Sequence, residues 1–295
     1  MRPPLLFIVA LITILFIEGP VLGEEPVSGE TSFFNEQWLD TVVSIEVEGI
    51  ENGKPKLSPI GTGFLVETER GHVLLVTAKH VIAEKAGAVK ANLRYRLNES
   101  SGGTVLLENE EIERHNAGSW YLSPAYDVAC RFMAWIGKPK FKTIPLKMFL
   151  SHKDTKVGAR LLVLGFPLGL RSTAYANPIA RQGMVARSDS EGIIADSFVF
   201  PGNSGGPVLY SPPFKFGKGL SSNLINEERI IGLISEFISY KDTAYSAQTM
   251  RPRVVFEENS GLANIVPADA VLELIRRDDL REKDKSFELN MGTQQ

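Results

Sequence analysis

Phe198-Val199-Phe200-Pro201-Gly202-Asn203-Ser204-Gly205-Gly206-Pro207-Val208-Leu209-Tyr210 sets a serine inside a run of glycine and proline, between two short apolar segments. Glycines accept backbone angles and close approaches that a Cβ blocks. The Ser204 hydroxyl and the backbone N–H groups around it are therefore presented without a bulky neighbour. Such a turn can carry a nucleophile with its oxyanion hole, form an anion-binding nest, or simply close a tight hairpin.

Outward from that turn the chain repeats one design. Short β-type runs at 41–47, 61–67, 72–77, 91–97, 104–107, 127–132, 160–165, 179–186 and 229–234 are separated by turn clusters such as Glu51-Asn52-Gly53-Lys54-Pro55. Helical periodicity is nearly absent until Pro267, after which Ala270, Val271, Leu274 and Ile275 recur on one helical face. The expectation is an all-β protein, barrel or sandwich, closed by one C-terminal α-helix over 267–278. Beyond Ile275 the chain is highly charged and reads as fraying into a polar tail, 279–295. Segments 211–228 and 241–258 are longer than hairpins require and read as insertions.

The chain has 295 residues, 43% hydrophobic and 23% charged, enough for one large β domain or two small ones. A net charge of −3 supplies no basic field, so no nucleic-acid partner is expected. One cysteine and four scattered histidines lack ligand spacing, and no phosphate loop is present; neither metal nor cofactor is expected. Arg2, the apolar run 5–17, and Val21 and Gly23 before Glu24 read as a signal peptide over 1–23, with an N-terminal membrane anchor as the alternative. Once it is cleaved, no stable membrane span remains. Residues 24–37 are a polar lead-in. An exported chain whose lone Cys130 forbids an intrachain disulfide fits a bacterial periplasm, or secretion from such a cell. By the same logic the sequon Asn98-Glu99-Ser100 is a chance match.

Gly202-Asn203-Ser204-Gly205-Gly206 contains Gly-x-Ser-x-Gly, a pattern shared by unrelated hydrolases. The order of possible partners is more selective. His72, His80, His115 and His152 all precede Ser204, which excludes an α/β-hydrolase, whose base follows its serine. A subtilisin-like order conflicts with the all-β pattern, so the order His, Asp, Ser remains. His80 ends the run Leu75-Val76-Thr77-Ala78-Lys79-His80, where a strand gives way to a loop or short helix. His72 and His115 sit in polar turns, and His152 stands beside Lys153. Asp127 opens the apolar run 128–132, from where it can accept the His80 Nδ1–H and fix the tautomer.

Thr77-Ala78-x-His80, Tyr126-Asp127-Val128-Ala129 and Pro201-Gly202-Asn203-Ser204-Gly205-Gly206-Pro207, in that order, resemble the chymotrypsin-fold (trypsin-like) serine proteases. The disulfide-free HtrA/Deg-type bacterial branch is most similar, through 61–66, 163–169, Asp196 and the end of the domain at 261–267. The resemblance covers 38–278. It implies two antiparallel six-stranded β-barrels, about 38–145 and 150–266, with His80 and Asp127 from the first and Ser204 from the second. The implied activity is that of a serine endopeptidase on polypeptide substrates, through an acyl-enzyme, with Gly202 and Ser204 N–H as the oxyanion hole. A catalytically silent chymotrypsin-fold binding or sensor protein is the alternative.

The resemblance also assigns a substrate pocket to Phe198, Ser235, Glu236 and Phe237, with Ser235 bonding the catalytic Asp. No acid lies at Phe198, and bulk at Phe198 or Phe237 favours small or medium apolar side chains. Asn203 stands where zymogen-activated relatives use an Asp that pairs with a new N-terminus, so activation by clipping is not expected. Residues 279–295 are too few for a PDZ domain, so that feature of the branch is not expected either.

Overall fold

The computed structural model describes residues 36–100, 102–114, 118–133, 141–172, 175–211 and 228–291. The expected signal peptide or anchor, nearly all of the lead-in, His115, and 212–227 of the first insertion lie outside these residues. Eight strands form a first sheet: β1 (Val42–Glu51), β2 (Lys54–Glu67), β3 (Val73–Thr77), β4 (Leu93–Asn98), β5 (Thr104–Glu108), β6 (Tyr121–Leu122), β7 (Ala129–Phe132) and β8 (Ile144–Pro145). Two short helices interrupt it, α1 (Lys79–Ile82) and α2 (Asn109–Arg114). The second sheet holds β9 (Arg160–Gly165), β10 (Ile179–Asp189), β11 (Gly192–Asp196), β12 (Pro207–Ser211), β13 (Arg229–Tyr245) and β14 (Pro252–Pro267). Helices α3 (Ala268–Ile275) and α4 (Asp278–Met291) follow.

The second sheet is a closed six-stranded barrel, β10-β11-β14-β13-β12-β9, antiparallel throughout. Its interior is filled by Leu161, Val163, Val185, Val199, Val208 and Ile231 with their neighbours. The first sheet departs from the expected second six-stranded barrel. Among the described residues its strands follow the open path β5-β4-β1-β2-β3-β7-β6, with β8 added in parallel to β2. The physical reason lies at the two ends: β5 runs into α2, and β6 is only two residues long. Side chains close the seam instead. Arg131 of β7, fully buried, donates to the Tyr95 hydroxyl of β4 (3.3 Å), to Asn109 Oδ1 (2.5 Å) and to the Gly118 carbonyl (3.2 Å). Its guanidinium also lies over the Tyr95 and Trp120 rings, at 5.7 and 5.6 Å.

The C-terminus is a second correction. One helix that frays was expected; two helices form, and α4 begins just where fraying was read. Its charge pattern hides the contacts that order it. Asp284, buried on α4, accepts from Thr68 Oγ1 (3.1 Å) and pairs with His72 Nδ1 (2.6 Å), while the Phe287 ring meets those of His72 and Phe132. Helices in proteins draw most of their stability from tertiary packing rather than from propensity, and on α4 Leu280, Asp284 and Phe287 supply it. Among the described residues, no helix is long and apolar enough to cross a membrane.

The second expected insertion, 241–258, is ordered as strand. β13 and β14 continue beyond the barrel as a two-stranded ribbon, with Tyr240 opposite Glu258 and Ala244 opposite Val254. The sequon is explained as well: Asn98 is buried, donating to the Ala176 carbonyl (3.0 Å) and accepting from its N–H (2.9 Å), which leaves no room for a glycan.

Glu46 joins the two sheets. Fully buried on β1, it is gripped by Arg96 at 2.9 Å and by Arg171, from the segment after β9, at 3.0 Å. Removing one member of a buried ion network strands the others. Glu46→Ala is therefore expected to destabilise the fold by about 3–5 kcal/mol, read as a lowered urea midpoint at an unchanged slope.

Candidate active site

β3 is buried along its whole length and ends at Thr77; Ala78 is extended, and α1 then starts. This break carries His80 out of the core, with its side chain half exposed. Asp127 comes from the turn before β7. Its Oδ2 lies 2.7 Å from His80 Nδ1, and its Oδ1 accepts the His80 backbone N–H at 3.0 Å. Ser235 of β13 donates to Oδ2 at 2.6 Å, so one carboxylate ties the first sheet to the barrel. Partial burial alone would raise the Asp127 pKa; the hydrogen bonds from His80 and Ser235 outweigh it and bring it down to about 2. The other described histidines are engaged elsewhere, His72 with Asp284 and the His152 N–H with Asp269 at 2.6 Å.

Ser204 sits in a turn whose geometry follows from its residues. The Asn203 N–H donates to the Phe200 carbonyl (2.9 Å), Gly202 has φ +101°, and Pro201 precedes it. Proline then a positive-φ glycine inside an i→i+3 bond is the signature of a type II turn. A Cβ on Gly202 would stand 2.2 Å from the Phe166 carbonyl oxygen, so no other residue fits without displacing backbone. The turn is pressed against the first sheet: a Cβ on Gly205 would lie 2.9 Å from Ala78 N, two residues before His80. The Gly205 N–H donates to Ile234 O (2.7 Å) and the Ile234 N–H to Gly206 O (2.9 Å), beside Ser235. The residues that follow Ser204 thus touch the segments that carry His80 and Ser235. Among the described residues, no hydrogen bond joins Ser204 Oγ to His80.

Two peptide units decide where the turn's N–H groups point. The Pro201 carbonyl accepts the Leu168 N–H (2.7 Å) and the Asn203 carbonyl accepts the Gly206 N–H (2.9 Å). A trans peptide directs its N–H opposite to its carbonyl, and no cis bond is present among the described residues. The N–H groups of Gly202 and Ser204 are thereby turned away from those anchors, and among the described residues neither has a partner. Unpaired N–H donors in such a turn are the elements from which an anion-binding concavity is built.

Sequence reading missed two of the anchors. Thr62, fully buried on β2, donates its Oγ1 to the Gly202 carbonyl (2.6 Å) and its N–H to the Ser204 carbonyl (2.9 Å). The same Oγ1 accepts the Phe166 N–H at 3.1 Å. Leu168 acts through its backbone, in a left-handed conformation (φ 55°, ψ 19°) uncommon for leucine. No side-chain motif announces a backbone donor, whereas Thr62 between two glycines could have been noticed as a hydroxyl at a close approach of strands. Thr62→Val keeps the shape and removes the hydroxyl, leaving two buried backbone groups unpaired. We expect a loss of about 1–3 kcal/mol in stability, and a kcat lowered more than KM is raised in hydrolysis of a fluorogenic peptide.

Asn203 is fully buried beneath the turn, where its Oδ1 accepts the Phe200 N–H at 3.0 Å. Of the four residues assigned to the pocket, Ser235 binds Asp127, the Glu236 side chain is exposed, and Phe237 packs on the barrel core. Phe198 is 53% exposed, and its ring lies along Gly261 of β14, 3.3 Å from where a Cβ would be.

A family profile described as a trypsin-like peptidase domain matches residues 61–211, just over half of the chain. The chain belongs to the trypsin-like peptidase family. Two relatives are named as probable periplasmic serine endoproteases, DegP-like. The one from Chlamydia pneumoniae is 27% identical over 187 residues, 62% of this chain and 33% of the relative. The one from Chlamydia muridarum is 30% identical over 152 residues, 50% of this chain and 25% of the relative. The homology to DegP-like (HtrA) proteases is distant, and the chain spans a third or less of these relatives' length.

Proposed function

We propose that this trypsin-like peptidase domain is an exported serine endopeptidase with Ser204 as nucleophile, His80 as general base and Asp127 as the group that orients it. The observation that carries the reading is the pair of unpaired N–H groups, Gly202 and Ser204, in a turn packed against the His80–Asp127–Ser235 chain. Ser204 Oγ attacks the scissile carbonyl carbon while His80 Nε2 takes its proton. The carbonyl oxygen, now negative, is bound by the two N–H groups, each such donor contributing about 3–4 kcal/mol in the transition state. His80 then returns the proton to the leaving amine, and the acyl-enzyme is hydrolysed by water activated in the same way. The Ser204–His80 hydrogen bond is the link left open at rest, and catalytic bonds of this kind commonly tighten only in the substrate complex.

Asn203 lets the turn be organised from within the chain, without a newly cleaved N-terminus. Phe198 at the mouth of the pocket selects small or medium apolar residues at the cleaved position. Export to the periplasm is carried by the apolar N-terminal run and by the names of the relatives. The test is labelling of the purified chain by a fluorophosphonate: wild type labels and Ser204→Ala does not. Equal labelling of both would remove Ser204 as nucleophile. A wild type that folds yet neither labels nor cleaves would favour the silent binding protein.

A further inference from the structure

We propose that Arg277 and Lys79 are positioning residues, which together clamp the 121–128 loop so that the Asp127 carboxylate meets His80. The proposal rests on the peptidase reading above and names two side chains outside the triad on which its rate depends.

The need for a clamp comes from the loop itself. Asp127 accepts three hydrogen bonds at once, two from His80 on α1 and one from Ser235 on β13. It does so from a connection whose first strand, β6, is two residues long and ends the path of its sheet. Among the described residues, no strand lies on the outer side of β6. The loop is closed on itself at Ser123, whose N–H donates to the Val128 carbonyl (3.0 Å) and whose Oγ accepts the Tyr126 N–H (3.1 Å). Closed in this way it moves as one piece. A shift at Leu122 or Ser123 carries Asp127 with it.

Two cations hold that piece by consecutive carbonyls. Lys79 Nζ donates to the Ser123 carbonyl at 2.7 Å. Lys79 immediately precedes His80, so this bond crosses between the segments that carry the two partners. Arg277 Nη1 donates to the Leu122 carbonyl at 2.9 Å, and its guanidinium lies over the Tyr121 ring at 6.0 Å. Hydrogen bonds from charged donors are the stronger kind. The guanidinium is itself aimed: the two oxygens of Asp279 take Nε, at 3.0 Å, and Nη2, which leaves Nη1 for the loop.

The backbone of Arg277 is anchored in turn. It stands between α3 and α4, its N–H donating to the Leu274 carbonyl (3.2 Å) and its carbonyl accepting the Arg281 N–H (3.0 Å). Helix α4 is seated on the first sheet by Asp284 on Thr68 and Phe287 on Phe132. The C-terminal helix pair thus reaches the Asp127 loop through one side chain. His80 is steadied in the same manner. Lys90 Nζ donates to the His80 and Val81 carbonyls, at 3.1 and 2.9 Å, where the short α1 ends. Neither Arg277 nor Lys79 has a part in the proposed proton transfers, so their effect on rate has to pass through Asp127.

The experiment measures kcat and KM on a fluorogenic peptide, and the rate of fluorophosphonate labelling, in the full chain. Arg277→Met and Lys79→Met, which keep an unbranched stem and lose the donors, are each made in wild type and in Asp127→Asn. In wild type each should lower kcat and the labelling rate about 10²-fold, the scale of a small misplacement of a reacting group. KM should change less than about threefold. In Asp127→Asn the same substitutions should cost less than about threefold, because the carboxylate they position is gone. A residue that only stabilises the fold would cost the same factor in both backgrounds. Arg277→Lys, which keeps a cationic donor for the Leu122 carbonyl, should recover at least about tenfold over Arg277→Met. Lys79→Met, outside the α3–α4 junction, decides alone if Arg277→Met does not fold. A wild-type rate in either Met variant, or equal losses in the two backgrounds, would overturn the clamp and leave the peptidase reading standing. A wild type that neither cleaves nor labels would overturn both.

Discussion

Ser204→Ala is expected to lower kcat on a peptide substrate about 10⁶-fold, with His80→Ala close behind and the double variant no worse than either alone. The non-additivity is the point. In the proposed mechanism Ser204 Oγ is a poor nucleophile until a base removes its proton, and every proton that His80 moves serves the making or breaking of the Ser204 acyl-enzyme, so losing either removes the same route. The backbone should be unaffected, because Ser204 does not have a positive φ and its turn is held by neighbours: Thr62, Ile234, Gly206 and Leu168. An unchanged melting temperature therefore accompanies the loss. The variant should retain the part of catalysis that comes from binding and the oxyanion hole, about 10³–10⁴ over water. That remainder has its own signature, since it depends on the Gly202 and Ser204 N–H groups. Adding Thr62→Val to Ser204→Ala should lower it further, although Thr62 never touches a reacting atom. A Ser204→Ala protein that keeps kcat within tenfold of wild type would end the proposed mechanism.

The dependence on Thr62 marks where sequence reading stops. A turn at 201–206 was legible because proline and glycine dictate their own backbone angles, although its type was not, and His80 stood out because a buried β run ends just before it. Asp127 was placed by its position at the mouth of an apolar strand. What sequence did not reveal are groups whose role is set by a distant partner. The Leu168 N–H and the Thr62 hydroxyl act only once β2, the segment after β9 and the turn are brought together. The fold shows the same division. The β class follows from short strands with turn punctuation and the second barrel from the resemblance, although β11, Gly192-Ile193-Ile194-Ala195-Asp196, went unread. The first sheet closes through Arg131, a charge that periodicity assigns to the surface. Helix α4 looked frayed because its partners, His72 and Thr68, lie more than two hundred residues away in sequence. The ribbon at 239–258 looked like an insertion because cross-strand pairing, not burial, makes it a strand.

Asp127→Asn carries the second-largest expected effect, a fall of about 10⁴ in kcat with the site's geometry retained. The carboxylate receives three hydrogen bonds: from the His80 N–H, from His80 Nδ1 and from Ser235 Oγ. An amide keeps one oxygen and can still accept the backbone N–H, so His80 stays in place. At Oδ2 it presents either an NH₂, which cannot accept from Nδ1–H, or a crowded flip that loses the backbone bond. The imidazole then prefers the tautomer with its proton on Nε2, the atom that must receive the serine proton. Stability should report the same change through pH. The Asp127 pKa is lowered from 3.8 to about 2 by bonds that exist only in the folded chain. A depressed carboxyl pKa stabilises the folded state above its unfolded value, and that contribution is lost as pH falls through the folded one. Wild type should accordingly lose stability between about pH 4 and pH 2 that Asp127→Asn, lacking the titrating group, does not lose. Melting curves taken across that window separate the two proteins. Parallel curves would mean that the His80–Asp127–Ser235 chain is not formed in solution, and a kcat within tenfold of wild type would deny Asp127 its orienting role.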